Sequence, residues 1–388
     1  MNDKDILIVS NYFPPESGAA SNRIKTLADS LNQSGIKVSV VCPLPNYPTG
    51  EIFDKYKGKL HSEDQEDGIL VNRLWLWPSK SDNKFVRLLS MLSFALSLSI
   101  YFLFKKTPQK VIIQYSPVFV GFAAVFWCWI LGKKTVLNVS DLWPLAGLEM
   151  GLMNKGTYYS ILEKMEAFCY RHSDLILGQS EEILTHVQKM EPKSKVFLYR
   201  NYPTFNPPEI TFATVNNPIK IVYAGLVGVA QGLSTVFGNI EIPDNVEFHI
   251  YGDGPDMNHL QALKKPRITF HGSVSREILH QELMKYDTAF VPLITRIYGS
   301  VPSKIFEYSR LGLPLLYMGG GEGGDIVEQE QIGWVIEVGN YKELQGFLNM
   351  LKPFSFSDLS KSSVRERAMK RFDFDQQFSG LIEKLNKV

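Results

Sequence analysis

The sequence predicts an α/β protein built from two doubly wound parallel sheets in series. Three observations carry that prediction. The 388 residues exceed the roughly 250–300 at which a single hydrophobic core stops growing. Apolar runs of strand length alternate with helical stretches, the pattern of parallel sheets covered on both faces. The alternation breaks off at "NYPTFNPPEITFATVNNP" (201–218), which holds four prolines and has no period, and then begins again. The expected layout is a first domain over 1–202, a linker over 203–218 and a second domain over 219–372. A C-terminal helix, 373–388, is expected to cross back onto the first domain.

Composition narrows the class. Hydrophobic residues at 45% and charged residues at 21% are enough apolar material to bury, with too little charge for disorder. A net charge of +1 gives no overall field for nucleic acid, and none is expected as a partner. Cys42, Cys128 and Cys169 are scattered without CxxC spacing, which argues against a zinc site or a disulfide scaffold and fits a reducing compartment. The opening "MNDKDILIVSNYFPP" reads as a charged start and a strand, not a signal peptide, so a cytoplasmic location is expected.

Taken in order, "ILIVS" (6–10) leads through a proline–glycine loop to a helix near 20–34. "KVSVVCP" (37–43), "KVIIQYS" (110–116), "KTVLNVSD" (134–141) and "DLILGQS" (174–180) are further strands. "PVFVGFAAVFWCWILG" (117–132) reads as a buried crossover helix. The second half offers "IKIVYAG" (219–225), "VEFHIYGDGP" (246–255), "RITFHGS" (267–273), "TAFVPL" (288–293), "PLLYM" (314–318) and "GWVIEV" (333–338). Two such sheets would face each other across a cleft at the carboxyl ends of their strands, where open α/β sheets bind ligands. The last helix repeats apolar residues at Phe378, Leu381, Ile382 and Leu385.

"FVRLLSMLSFALSLSIYFLF" (85–104) breaks the pattern: 20 residues with one charge, Arg87, flanked by Lys80, Lys84, Lys105 and Lys106. Three readings stay open. It lies in the plane of a membrane surface, packs as a core or oligomer helix on Ser90, Ser93 and Ser97, or spans a bilayer. A span would leave strands of one sheet on opposite sides of the membrane. The in-plane reading is adopted, with Trp75 and Trp77 as nearby exposed aromatics.

The chemistry concentrates in "GSVPSKIFEYSRLGLPLLYMGGGEGG" (299–324). Pro302 suits a first helical position and Gly312 an exit. A helix starting near Ser300–Ser303 would aim free N–H groups and its positive dipole end at the cleft, a ready phosphate site. Lys304 adds a full charge in the first turn. Glu307, one turn on, can accept two hydrogen bonds from a ribose diol. The plain alternative is a surface helix with a salt-bridged glutamate.

"PSKIFEYSRLGLPLL" resembles the donor-site helix of family 4 glycosyltransferases, two-domain enzymes of GT-B fold that transfer sugar from a nucleotide sugar. "SNYFPPESGAASNRIKTLADSL" (10–31), "PNYPTG", "SDLWP" and "GDGP" match in order, so the resemblance spans essentially the whole chain. It is nearest to bacterial O-antigen and capsule transferases of the N-acetyl-L-fucosamine transferase type. The fold it implies is GT-B, two Rossmann-like domains.

In such enzymes the second motif glutamate binds ribose, and Glu307 matches it. A first glutamate eight positions earlier, contacting the transferred sugar, is replaced here by Gly299, which leaves backbone N–H groups of Ser300 and Val301. The basic pair that clamps the diphosphate in the family is absent: "YAGLVGVAQGL" offers Gly225 and Gly228, with Val229 and Gln231 where Arg or Lys belongs. Lys304 and Arg296 are the expected replacements for that charge, unless helix dipoles serve instead, and Ser303 at the helix start is a further expected donor contact. Gly18 would let backbone approach the donor, or is a simple strand–helix turn. Asp141, ending a strand, is the expected catalytic carboxylate, with a helix N-cap as the bland alternative. Glu16, at a loop tip, is the acceptor-side candidate. His249 reads as core, and His271 as a less favoured contact to the base. The only DxD-like triplets, "DKD" (3–5) and "DFD" (373–375), are terminal, so neither metal nor cofactor is expected.

The resemblance implies a retaining enzyme with front-face chemistry, in which the leaving phosphate helps deprotonate the acceptor. The expected donor is a nucleoside-diphosphate sugar, UDP-linked. The expected acceptor is a polyprenyl-diphosphate-linked saccharide at the inner membrane face, reached through 85–104. A sugar-nucleotide epimerase and a non-catalytic nucleotide-sugar-binding subunit are the alternatives.

Overall fold

The computed structural model describes residues 5–80, 84–210 and 215–388. The chain divides into two compact units, one reaching Arg200 and including Leu381–Val388, the other Asn201–Gly380. The first unit runs β1 (Ile6–Val9), α1 (Ala19–Gln33), β2 (Val38–Pro43), β3 (His61–Glu66), β4 (Ile69–Leu74), α2 (Lys84–Phe104) and β5 (Lys110–Gln114). It continues α3 (Val118–Ile130), β6 (Lys134–Val139), α4 (Leu145–Glu149), α5 (Thr157–Arg171), β7 (Leu175–Gly178), α6 (Glu181–Met190) and β8 (Val196–Leu198). Its sheet has the order β3-β4-β2-β1-β5-β6-β7-β8, parallel except for β3. Strand order reverses at β1, which has β2 on one side and β5 on the other.

The β3–β4 hairpin has no counterpart in the expected strands. "HSEDQE" carries no β-branched or aromatic residue and alternates between exposed and half-buried positions, as suits an edge strand. The signal that marks it is Asp67–Gly68, both at positive φ (51° and 82°), a two-residue hairpin turn. Arg73 of β4 is completely buried, and its Nε donates to Asp64 Oδ2 at 2.7 Å while Nη2 pairs with Glu66.

The second unit runs β9 (Ile219–Ala224), α7 (Leu233–Gly238), β10 (Val246–Tyr251), α8 (Met257–Ala262), β11 (Ile268–Gly272), α9 (Arg276–Leu283) and β12 (Thr288–Pro292). It continues α10 (Lys304–Leu311), β13 (Leu315–Met318), α11 (Glu322–Gln329), β14 (Gly333–Ile336), α12 (Tyr341–Met350) and α13 (Lys361–Arg371). Its six strands, in the order β11-β10-β9-β12-β13-β14, are all parallel. Alternate residues of β9 serve opposite faces: Ile219, Ile221 and Tyr223 join one core cluster, Val222 and Ala224 the other. Strand order reverses at β9, between β10 and β12, and the loops after β9 and β12 open there.

The segment expected as a linker is fixed to the second unit wherever it is described, residues 211–214 lying outside the described residues. Tyr202 packs on Phe306 and Phe372, and Arg310 Nε donates to the Phe205 carbonyl at 2.9 Å. Asn216 is tied to both carboxylate oxygens of Asp287 at 3.0 Å. Proline content marked the change of unit, but these side-chain bonds hold the segment down. The final helix, α14 (Phe374–Asn386), buries Leu381 and Leu385 with the first unit, where Lys110 Nζ donates to the Leu385 carbonyl at 2.6 Å.

α2 packs along α3. Its inward side buries Phe94, Ala95, Leu98 and Phe102, while Leu89, Leu92, Leu96, Ile100, Leu103 and Phe104 remain exposed. Ser93 Oγ accepts from the Trp77 N–H at 2.7 Å. Among the described residues, no helix is long and apolar enough to cross a membrane. α3 is not wholly buried as expected: Trp129, Ile130 and Leu131 are exposed at its outer end.

Candidate active site

In the second unit the site forms where β9 and β12 end. α10 starts at Lys304, two residues later than Pro302 suggested, with Ser303 at the N-cap making no side-chain cap. The Ser300 N–H donates to the Ile297 carbonyl at 3.0 Å, whereas those of Val301, Ser303 and Lys304 have no backbone acceptor among the described residues. Unmade N–H groups at a helix start carry the positive end of the dipole. Tyr308 anchors this helix by donating to the Ala224 carbonyl at the end of β9, 2.5 Å away.

Lys304 folds back across that strand end, with Nζ 3.9 Å from the Tyr223 ring centre. Such a contact favours the charged form, and the charge of Glu307 acts in the same sense. Burial pulls the ammonium down to about 7 against the charge of Glu307. Gly225 makes room: its φ is +135°, and a Cβ there would lie 2.5 Å from Lys304 Nζ. Arg296 is exposed and lies over the glycine loop before α11, its Nε 2.9 Å from where a Cβ of Gly321 would sit.

Glu307 is mostly buried. Its Oε1 accepts from Arg276 Nε and Nη2 at 3.2 and 3.1 Å and from His280 Nε2 at 2.8 Å. Burial alone would raise its carboxyl, but the His280 hydrogen bond and the Arg276 charge hold it below the usual range. Phe205 stacks on His280 with ring centres 4.1 Å apart. Arg276 and His280, both on α9, were not among the expected site residues. His271 is exposed, stacks on Tyr251 at 4.3 Å and lies 3.0 Å from His249 Nδ1 through its Nε2. His249 is therefore half of a histidine pair, not a core residue, because adjacent strands bring the two rings to one face.

In the first unit the residues gather at the ends of β1, β5 and β6. Gly18, at the N-cap of α1 with φ +150°, holds a backbone that L side chains rarely adopt. Glu16 is not at an exposed tip. It is 3% exposed, and its Oε1 accepts from the N–H groups of Asn46 and Tyr47 at 2.8 and 2.9 Å. Burial raises its carboxyl in spite of those donors. It thereby braces the "PNYPTG" loop.

Asp141 is exposed at the end of β6. The charge of Arg23 and the Ser140 hydroxyl both favour its ionised form. It caps no helix: α4 begins only at Leu145, with Pro144 at the N-cap. Arg23, one turn into α1, donates through Nη2 to Ser140 Oγ at 3.0 Å, and its buried Nε has no partner among the described residues. Gln114 Nε2 donates to the same hydroxyl at 2.6 Å, and Asn138 Nδ2 to Gln114 Oε1 at 2.9 Å. Arg23 is the residue the sequence reading passed over. Its signal was a cation on the first helix behind a glycine loop. Among the described residues no three His, Cys, Asp or Glu side chains form a metal-binding group.

Two family models match the chain, "Glycosyl transferase 4-like domain" over residues 18–200 and "Glycosyl transferases group 1" over 221–351. No curated protein matches by sequence. Several solved structures share the fold. A sucrose-phosphate synthase from Thermosynechococcus elongatus superposes with a TM-score of 0.71 at 12% identity, covering 99% of each chain. HepE of Anabaena, solved with UDP and glucose, gives 0.65 at 13%, covering 99% of this chain and 100% of its own. WaaG, a glycosyltransferase involved in lipopolysaccharide biosynthesis, gives 0.65 at 13%, covering 99% of each. With one model matching each half and the fold shared from end to end, the chain belongs to the family 4 glycosyltransferases of GT-B fold.

Proposed function

We propose that this transferase takes its sugar from a nucleoside-diphosphate donor, UDP-linked, and passes it with retention of configuration to a polyprenyl-diphosphate-linked saccharide. The product would be a bacterial surface polysaccharide such as O-antigen or capsule, and the enzyme would be of the N-acetyl-L-fucosamine transferase type.

The observation that carries the donor half is the start of α10. Open N–H groups, the Lys304 amine and the space at Gly225 converge there, with Glu307 one turn on. In this reading Lys304, Arg296 and the N–H groups of Val301 and Ser303 hold the diphosphate. Glu307 holds the ribose, and Ser300 shapes the turn. Gly18 lets backbone approach the donor from the first unit. Asp141, with Arg23 beside it, serves as the catalytic carboxylate near the acceptor, and Glu16 keeps the acceptor-side loop in place. UDP is preferred because HepE, alike over its full length, was solved with UDP.

The acceptor half rests on α2. An exposed apolar row leads to Lys105 and Lys106, and Lys133 Nζ reaches the Thr107 and Pro108 carbonyls at 3.0 and 2.9 Å beside it. Such a face suits an in-plane seat on an anionic membrane at its cytoplasmic side. The test is a thermal-shift series with UDP, GDP, CDP and uridine. UDP at about 100 times its dissociation constant should stabilise by about 2.7 kcal/mol. No shift with any nucleoside diphosphate at millimolar concentration would overturn the donor reading.

A further inference from the structure

Lys304 differs from the other cations of its unit in what surrounds it. Its amine lies over an aromatic face at the start of α10, beside N–H groups that carry the positive end of the helix. Among the described residues it forms no ion pair. The groups that face it are few. β9 contributes the Tyr223 ring, and the loop after β9 contributes the backbone of Gly225. α10 contributes Glu307, whose Oε1 is already shared by Arg276 and His280. An ammonium there has little to replace lost water, and burial brings it down to about 7 against the opposing charge of Glu307. In this recess burial and the positive end of the helix favour the neutral amine, against the Tyr223 ring and the charge of Glu307.

We propose that the donor's diphosphate enters this recess together with a proton, which Lys304 takes up from solvent as the anion arrives. The proposal rests on reading the α10 start as the diphosphate site. Two phosphate charges beside the amine favour its ammonium form, so the lysine is more basic in the complex than in the free enzyme. A group whose pKa rises on binding takes up a proton between its two values. Below about pH 6 the amine is charged before the ligand arrives and uptake is near zero. By about pH 8.5 it approaches one proton per site, and affinity falls about tenfold per pH unit above neutrality. The consequence is selectivity. The site gains its full positive charge only for a ligand anionic enough to summon it, and a bare nucleoside is not.

The experiment is calorimetry of UDP with the full chain at pH 8.5, in Tris and in Bicine, whose ionisation enthalpies differ. At this pH the phosphates of UDP are fully ionised and do not titrate. The difference in apparent binding enthalpy should correspond to about 0.9 proton taken up. Lys304→Met should bind UDP at least tenfold more weakly with no uptake, and keep uridine affinity. Lys304→Arg should bind UDP without uptake and lose the pH dependence between 7 and 9. Binding of UDP with equal enthalpies in both buffers would overturn the proposal, as would uptake that survives in Lys304→Met. Failure of UDP to bind the wild-type chain at any pH would instead overturn the donor site itself.

Discussion

Glu307, proposed above to hold the donor's ribose, already has a structural task. One oxygen gathers Arg276 and His280, and those bonds keep the carboxylate ionised in a mostly buried place. Its folded pKa lies below the ordinary value, so its contribution is complete above about pH 4.5 and is lost as pH falls through the depressed value. Glu307→Gln should therefore lower the melting temperature by a few degrees at pH 7, with the gap to wild type narrowing as pH falls below the depressed value. A gap that stays constant as pH is lowered until the protein unfolds, by scanning calorimetry, would remove the charge from the account. Glu307→Ala should also weaken UDP by about 1.5–3 kcal/mol, the usual loss for hydrogen bonds to a charged group. Unchanged affinity would leave Glu307 with the structural role alone. The motif made Glu307 and Lys304 legible in the sequence. Arg276 and His280 were not legible, because α9 meets α10 only after the sheet has formed.

At the scale of one element, α2 separates composition from placement. Twenty nearly uncharged residues told of an apolar helix without saying which side is covered. The structure divides them, with Phe94 and Leu98 inward and Leu92, Leu96, Ile100 and Leu103 outward. The two sides should respond differently. Phe94→Ala should destabilise the fold by about 3–5 kcal/mol, the usual loss for a buried phenylalanine. Serine at Leu92, Leu96, Ile100 and Leu103 together should leave the melting temperature nearly unchanged. The same variant should release the protein from vesicles containing anionic lipid in a flotation assay. Vesicle binding equal to wild type would remove the membrane from the role of this face.

For the molecule as a whole, the net charge of +1 offers no general attraction to an anionic donor. In the proposed reading the positive field is local, made by a helix start, Lys304 and Arg296. Fixed backbone dipoles and one conditional ammonium can stabilise a leaving diphosphate without a divalent ion. Turnover should accordingly persist in EDTA at not less than half its initial rate. A complete loss restored by magnesium or manganese would show that these groups do not suffice. The assay is release of UDP from a UDP-sugar with acceptor present.

The sequence by itself determined the alternation of strand and helix, and with it two parallel sheets, because buried strands need unbroken apolar runs and crossovers need helices. All six strands of the second sheet were legible for that reason, and so was the helix that carries Lys304 and Glu307. β3 was hidden because an edge strand needs no apolar face, whereas β4, an interior strand with the buried run "ILVNRL", was legible and passed over. Tertiary structure alone decided which charges meet. Arg23 reaches Ser140 across more than a hundred residues, Arg73 is buried among carboxylates from a neighbouring strand, and Glu16 turns inward to brace a loop. Local pattern specifies what each segment can bury. The partner of a polar side chain is fixed only when packing removes water and leaves one donor or acceptor within reach.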